Sequence, residues 1–157
     1  MRELTLERWG ELYDRAFPQV YRALVATTFD RERALDGLHD AFEEGLRHPP
    51  ADDRNLEGWL YRVALRKMRR GLLRAVREAH MIELPADDPT AAVLGRLEVG
   101  RLLELLTERQ RAIVVAHYYL GLSQQEIAAA LGVRRGTVSA TVSQSLARMR
   151  KRGAEHA

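Results

Sequence analysis

Leu120 to Lys151 reads LGLSQQEIAAALGVRRGTVSATVSQSLARMRK, and its local signals set the architecture expected of the whole chain. Ser123 is a natural helix N-cap and Glu126, three residues on, can reach back to its amide, which is the form of a capping box. Ile127 and Leu131 fall one turn apart on one face, Gly132 supplies a positive-φ stop, and Val133 can seal the turn against a core. A short helix is therefore predicted. After an Arg134-Arg135-Gly136 turn, apolar residues return at Val138, Val142, Leu146 and Met149, the spacing of one face of a second helix. Two short helices across a glycine-bearing turn make a helix-turn-helix.

The opposite face of the second helix carries Thr137, Ser139, Ala140, Thr141 and Gln144, small or polar side chains that can approach base edges closely. Arg148, Arg150, Lys151 and Arg152 follow as a phosphate-binding tail. In this motif the second helix enters the major groove and its N-terminal residues read bases, while cap residues such as Ser123 and basic side chains hold the backbone. An ordinary helical hairpin would share the apolar spacing. It would not need the cap, the glycine stop and the polar face to agree.

Composition narrows the classes of function. A chain of 157 residues with 46% hydrophobic content can fill one core or two small ones. Its 25 basic and 22 acidic residues leave a formal charge of only +3, with a pI of about 9.6, so the placement of charge matters more than its sum. Cysteine is absent, which removes disulfides and thiolate metal sites and fits a reducing interior. No apolar run reaches the length of a membrane span, and Met-Arg-Glu-Leu-Thr-Leu does not open a signal peptide. A cytoplasmic location is expected.

From Leu4 to about Phe29 the residues Leu4, Leu12, Phe17, Val20, Tyr21, Leu24 and Val25 recur at helical spacing around Pro18, predicting two helical pieces or one kinked helix. Trp9, Tyr13 and Phe17 share one face as a core stripe. Asp30 is placed to cap a helix that buries Ala34, Leu35, Leu38, Ala41, Phe42 and Leu46. Its outer face is acidic, with Glu32, Asp36, Asp40, Glu43 and Glu44, and taken alone such a face is either solvated or an interface. Asp36 with His39, or His39 with Glu43, could begin a metal site, but the second Glu-x-x-His of a di-metal bundle is missing. No metal and no cofactor are expected.

His48 to Asn55 is a loop by its proline pair and Asx residues. Past it, Leu56, Leu60, Val63, Ala64, Met68 and Leu72 form one helical stripe, and Arg62, Arg66, Lys67, Arg69, Arg70, Arg74 and Arg77 load the remainder with positive charge. Trp59 and Tyr61 lie at the start of that helix. Cations that track phosphates beside rings that stack on bases suit a strand whose bases have left the duplex; a solvated basic face over buried aromatics is the plainer reading. Glu78 to Asp88 has no sustained period and reads as a linker. Asp88-Pro89 then opens a helix through Val93, Leu97, Leu102, Leu105 and Leu106. Thr107 to Gln110 is a second capping box, and Ile113, Val114, Tyr118 and Leu120 carry the apolar run to Gly121. The fold class expected is all-α: two small helical domains, residues 1–77 and 89–157, joined by a linker at 78–88, the second ending in the helix-turn-helix.

Taken together, these segments resemble the extracytoplasmic-function class of bacterial RNA polymerase sigma factors, of the sigma-70 family, over nearly the whole chain. LTERQRAIVVAHYYLGLSQQEIAAALGVRRGTVSATVSQSLARMR is similar to the domain that reads the minus-thirty-five element, ALDGLHDAFEEGL to the core-polymerase-binding helix, and NLEGWLYRVALRKMRRGLLR to the promoter-melting helix. The order of the three is more specific than the helix-turn-helix alone. The resemblance implies that Asp36, His39, Asp40 and Phe42 dock on the clamp helices of the largest polymerase subunit, and that Trp59, Arg62, Arg66 and Arg70 face the opened minus-ten element. It also implies that the loop from His48 to Asn55 captures a flipped base. Further implied partners are the flap of the second-largest subunit, promoter DNA and an anti-sigma protein, with no membrane insertion. The chain departs from the family where Arg66 and Arg70 replace the usual Asn and Asp, where Ser139 and Thr141 replace a lysine and an arginine, and where Arg134 replaces a small cap residue. Arg134 and Arg135 restore part of the lost phosphate attraction.

The function expected is therefore that of a promoter-specificity subunit without an active site of its own. A stand-alone regulator binding a palindrome as a dimer is the rival, and no leftover coiled-coil segment supports it. A magnesium-dependent nuclease would need Asp52, Asp53, Asp87 and Asp88 as ligands, but paired loop aspartates more often serve turns and caps.

Overall fold

The first helix, α1 (Leu6–Thr28), continues through Pro18. Pro18 lies on the exposed side, while Leu12 and Ala16 before it and Val20 and Leu24 after it are all buried. Burial on both sides of the proline holds the two turns on one core, so of the two alternatives the chain forms one helix rather than two pieces. The computed structural model describes residues 6–51, 54–75 and 98–155, with the side chains of 69–75, 98, 99 and 153–155 outside that description. The predicted linker at 78–88, the Asp88-Pro89 helix start with Val93 and Leu97, and the four loop aspartates lie outside the described residues.

Asp30 caps α2 (Arg31–Arg47), its Oδ1 accepting from the amides of Glu32 and Arg33 at 3.1 Å each. The helix buries Ala34, Leu38, Ala41 and Phe42, but Leu35 and Leu46 remain 36% and 50% exposed. Both stand at the edge of the predicted stripe, which is narrower than the sequence suggests because two glycines form part of it. Gly45 gives up its side chain to the Trp9 indole, which lies where a Cβ would be. Trp9 in turn meets Phe42 edge-on with ring centroids 5.7 Å apart, and Tyr13 approaches the same ring at 4.4 Å. The aromatic stripe is thus a core element.

The third helix, α3 (Leu56–Ala75), is capped by Asn55, whose Oδ1 accepts from the Gly58 amide at 3.0 Å. Leu56, Leu60, Val63 and Ala64 are buried as predicted, and Met68 packs against Gly37 of α2. Helices α1 to α3 pack mutually and form the first half of the chain.

The second half begins with α4 (Glu98–Leu103) and α5 (Glu108–Val114), the latter opened by the complete Thr107–Gln110 capping box. A π-helical turn, Val115–Tyr119, follows directly and leaves Tyr118 58% and Tyr119 46% exposed, so Tyr118 is not part of the apolar run. Then come α6 (Gln124–Leu131) and α7 (Arg135–Glu155). All described secondary structure is helical. The chain is all-α, two helical halves with a helix-turn-helix at the end of the second. Among the described residues no helix is long and apolar enough to cross a membrane.

The halves do not stand apart. Residues of both belong to one continuous core, and α1 and α3 pack on α5, the π turn and α6.

Candidate nucleic-acid interface

The helix-turn-helix is built as its residues dictate. Ser123 Oγ accepts from the Glu126 amide and Glu126 Oε1 accepts from the Ser123 amide, both at 3.1 Å. Gly132 ends α6 at φ 67°, a backbone region that costs other residues energy. The Arg134 carbonyl accepts from Thr137 and Val138, so α7 already begins at Arg135. The predicted Arg134-Arg135-Gly136 turn is therefore one residue of cap and two of helix. Val138 and Val142 are buried and Leu146 and Met149 pack on the core behind them.

With that face fixed, the opposite one is turned outward. Ser123, Arg134, Arg135, Thr137, Ser139, Ala140, Gln144 and Arg148 are all exposed, and Thr141 is half-buried. Two of these side chains have internal partners. Thr141 Oγ1 donates to the Thr137 carbonyl at 2.8 Å, and an Arg148 guanidinium N–H donates to the Leu105 carbonyl at 3.1 Å, tying α7 to the turn before α5.

The basic helix α3 is less uniform. Arg66 is exposed, while Trp59 is half-buried where it approaches Gly45. Tyr61 is not a surface ring: it is fully buried, because its position belongs to the face that meets the second half. Arg62 pairs with Glu126 of α6 at 3.4 Å, and its Nε is buried without a partner. Lys67 pairs with Glu44 at 3.2 Å. Arg70 lies on the helix, with its side chain outside the described residues.

On α2, Asp36, His39 and Asp40 are exposed together on the acidic face. Phe42 is not with them; it is 5% exposed and held between the Trp9 and Tyr13 rings, so it supports that face from beneath. The C-terminal acids are occupied within the half: Glu43 by Arg47 at 2.6 Å, and Glu44 by Lys67 and His48. Hydrogen bonds from Lys67 and then His48 hold the Glu44 carboxyl below its ordinary range. Among the described residues no three His, Asp or Glu side chains cluster as metal ligands would.

The contacts between the halves were not foreseen from the sequence. Asn55 Nδ2 donates to the Leu120 carbonyl at 2.9 Å. The Tyr61 hydroxyl lies 2.6 Å from Thr27 Oγ1 and donates to the Ala112 carbonyl at 3.2 Å, and burial pushes its pKa upward. Arg111 of α5 donates to the Thr27 carbonyl at 2.8 Å, capping the last turn of α1, and lies 3.9 Å above the Phe29 ring. Burial lowers its pKa to about 10, which leaves it protonated at neutral pH. Glu108 pairs with Arg33 at 2.8 Å, and burial raises its carboxyl above the ordinary value. One of these residues was legible: Asn55 directly precedes an apolar-periodic helix, which is an N-cap signal.

The region from 96 to 149 matches the family described as Sigma-70, region 4. The chain is 32% identical over 148 residues to the ECF RNA polymerase sigma factor SigM of Mycobacterium tuberculosis, covering 90% of this chain and 74% of that protein. It is 34% identical over 104 residues to the RNA polymerase sigma-E factor of Streptomyces coelicolor, which covers 64% of this chain and spans 59% of that relative's length. Among solved structures, the sigma factor RpoE of Bartonella quintana, in complex with the anti-sigma factor NepR, is similar in fold at a TM-score of 0.65. Identity there is 16%, over 93% of this chain and 96% of that one. CnrH, in complex with the cytosolic domain of CnrY, gives a TM-score of 0.56 at 22% identity over 98% and 92% of the two chains.

Proposed function

The chain belongs to the extracytoplasmic-function RNA polymerase sigma factors, and from that premise we propose that it is a promoter-specificity subunit that binds core polymerase and reads two promoter elements. One observation carries the reading: a helix whose apolar face is locked into the core presents Thr137, Ser139, Ala140 and Gln144 outward, with Arg134 and Arg135 at its start. That arrangement suits duplex DNA at the minus-thirty-five element, polar side chains facing base edges and cations facing phosphates. Ser123 and Arg148 flank it as backbone contacts.

Residues 1–77 and 89–157 act as the two promoter-binding domains, joined through 78–88. On α3, Trp59, Arg62, Arg66 and Arg70 receive the opened minus-ten strand; unstacking costs a few kcal/mol per step, which ring stacking and phosphate contacts offset. Asp36, His39 and Asp40 dock on the largest polymerase subunit, with Phe42 holding their helix in place. The flap of the second-largest subunit receives the second domain. The protein works in the cytoplasm beside the polymerase, catalyses nothing itself, and is a fit target for an anti-sigma protein, as RpoE is bound by NepR in its complex.

Run-off transcription with core polymerase on native promoters tests this. A transcript that depends on both the chain and the promoter is expected; its absence from every native promoter rejects the reading. Asp36→Lys with Asp40→Lys should abolish co-purification with core polymerase while leaving the affinity for free duplex unchanged. Unchanged co-purification removes that docking surface.

A further inference from the structure

Trp59 leads a row of cations on α3. Arg62, Arg66 and Arg70 follow it at helical spacing, so a ring at that position stands at the head of the phosphate-tracking groups. Stacking on a base is strongest when the ring is held in place beforehand, because freezing a loose side chain on binding costs affinity. The Trp59 ring is held from α2.

The seat is Gly45. A Cβ built there would fall among Cζ2 and Cη2 of Trp9 and would stand 3.2 Å from Cζ3 of Trp59, so two indole rings share the space that any side chain at 45 needs. The rings therefore border each other across the glycine. Glycine inside a helix is less stable than alanine, and α2 carries one in its last turns where the two rings require it. Trp9 has little room to yield: it is buried, and Phe42 meets it edge-on with centroids 5.7 Å apart. Trp59 is half-buried, with its six-membered ring toward α2. The same turn of α2 grips the strand-facing surface at two more points, since Glu44 pairs with Lys67 of α3 at 3.2 Å and with His48, where the loop to Asn55 begins, at 3.1 Å. Ring, cation and loop are all tied to one end of α2.

We propose that Gly45 and Trp9 are positioning residues for strand capture: the Trp9 indole, lodged in the notch that Gly45 leaves on α2, holds the Trp59 ring in the orientation that stacks on an opened minus-ten base. The inference rests on the proposed reading of α3 as the strand-facing helix. Gly45 and Trp9 are both buried, and neither touches the strand itself. Their effect reaches it through Trp59, so it leaves the duplex-facing surface of α7 untouched, whereas a general loss of folding weakens both surfaces.

Three variants of the full chain test the seat. Trp9→Phe empties the notch, because phenylalanine lacks Cζ2 and Cη2, and Gly45→Ala overfills it; the double variant puts a methyl group where those two atoms stood, and fits again. Each single variant should bind a fluorescein-labelled single-stranded minus-ten oligonucleotide of a native promoter about five-fold more weakly than wild type, and the double variant should recover to within about two-fold. Affinity for minus-thirty-five duplex should be equal in all four proteins. Trp9→Phe and the double variant each keep Trp59 as their only tryptophan, so its emission reads the ring directly. Acrylamide should quench it about two-fold more strongly in Trp9→Phe than in the double variant, because the emptied notch gives the ring room to move. Should Gly45→Ala fail to fold, Trp9→Phe and the double variant carry the comparison. Equal strand affinity in Trp9→Phe and wild type, or a double variant as weak as Trp9→Phe, overturns the proposal. If wild type binds no strand, the promoter reading of α3 falls, and the quenching alone decides the seat: equal values in the two single-tryptophan proteins overturn it.

Discussion

Thr141 shows how far one residue's role can be read before its partners are known. Its side chain was placed on the reading face from the sequence, and it is there, half-buried, but its hydroxyl proton is committed to the Thr137 carbonyl. Its hydroxyl oxygen can still accept a hydrogen bond, and its methyl group suits a thymine. Thr141→Val should keep the preference at that base pair and Thr141→Ser should lose it, measured on a panel of singly substituted duplexes. Gln144 is exposed, and under the proposed reading its amide meets a base edge, so Gln144→Ala should cost about 1–3 kcal/mol of discrimination at one base pair. Arg148→Ala should instead weaken binding to all sequences alike and reduce the salt slope by about 1. Because Arg148 also bonds the Leu105 carbonyl, that variant should lower the melting temperature as well. Equal effects of the Gln144 and Arg148 variants on every duplex would contradict this division. The exposure of these side chains was legible because helical spacing fixes a face. Their hydrogen bonds were not, because each depends on a carbonyl that the apolar pattern does not mark.

Elements with a chemical signal at their ends matched expectation: Asp30, Thr107 and Ser123 cap as predicted, and Gly132 stops α6. Elements whose form depends on packing did not. Pro18 sits inside α1 because buried residues flank it on both sides, and the π turn at Val115–Tyr119 has no signature in residue type. The junction of α1, α2 and α5 belongs with these, since its ion pair joins residues far apart in sequence. Glu108 is raised chiefly by burial, with Arg33 and Arg111 opposing and Asp30 adding to the shift. The folded state therefore favours the protonated carboxyl, so this group's contribution is full below its ordinary value of 4.5 and is lost as pH rises through the raised value. Glu108→Gln is neutral at every pH and lacks that loss. The melting temperature of wild type, taken relative to Glu108→Gln, should fall as pH rises from the ordinary value of 4.5 through the raised one; a constant difference would mean that Arg33 fully compensates the burial.

At the scale of the whole molecule, the sequence divides the chain into two domains and the structure joins them through one core. The expected division rests on amphipathic periods that stop and restart around 78–88, which lie outside the described residues. The joining was not legible, because an apolar face does not say which partner covers it: Leu56, Tyr61 and Leu122 would be buried equally well against their own half or the other. A shared core has a thermodynamic consequence. Both tryptophans, Trp9 and Trp59, lie in the first half, so their fluorescence reports that half alone, whereas far-ultraviolet dichroism reports helices in both. In wild type the second half cannot unfold without uncovering Tyr61 and releasing Arg111 from the end of α1, so the two signals should share one denaturant midpoint. Arg111→Ala removes the bond to the Thr27 carbonyl but leaves the shared apolar core, so both signals should move together to a lower midpoint. Two separate midpoints in wild type would mean that the halves unfold independently in spite of the core they share.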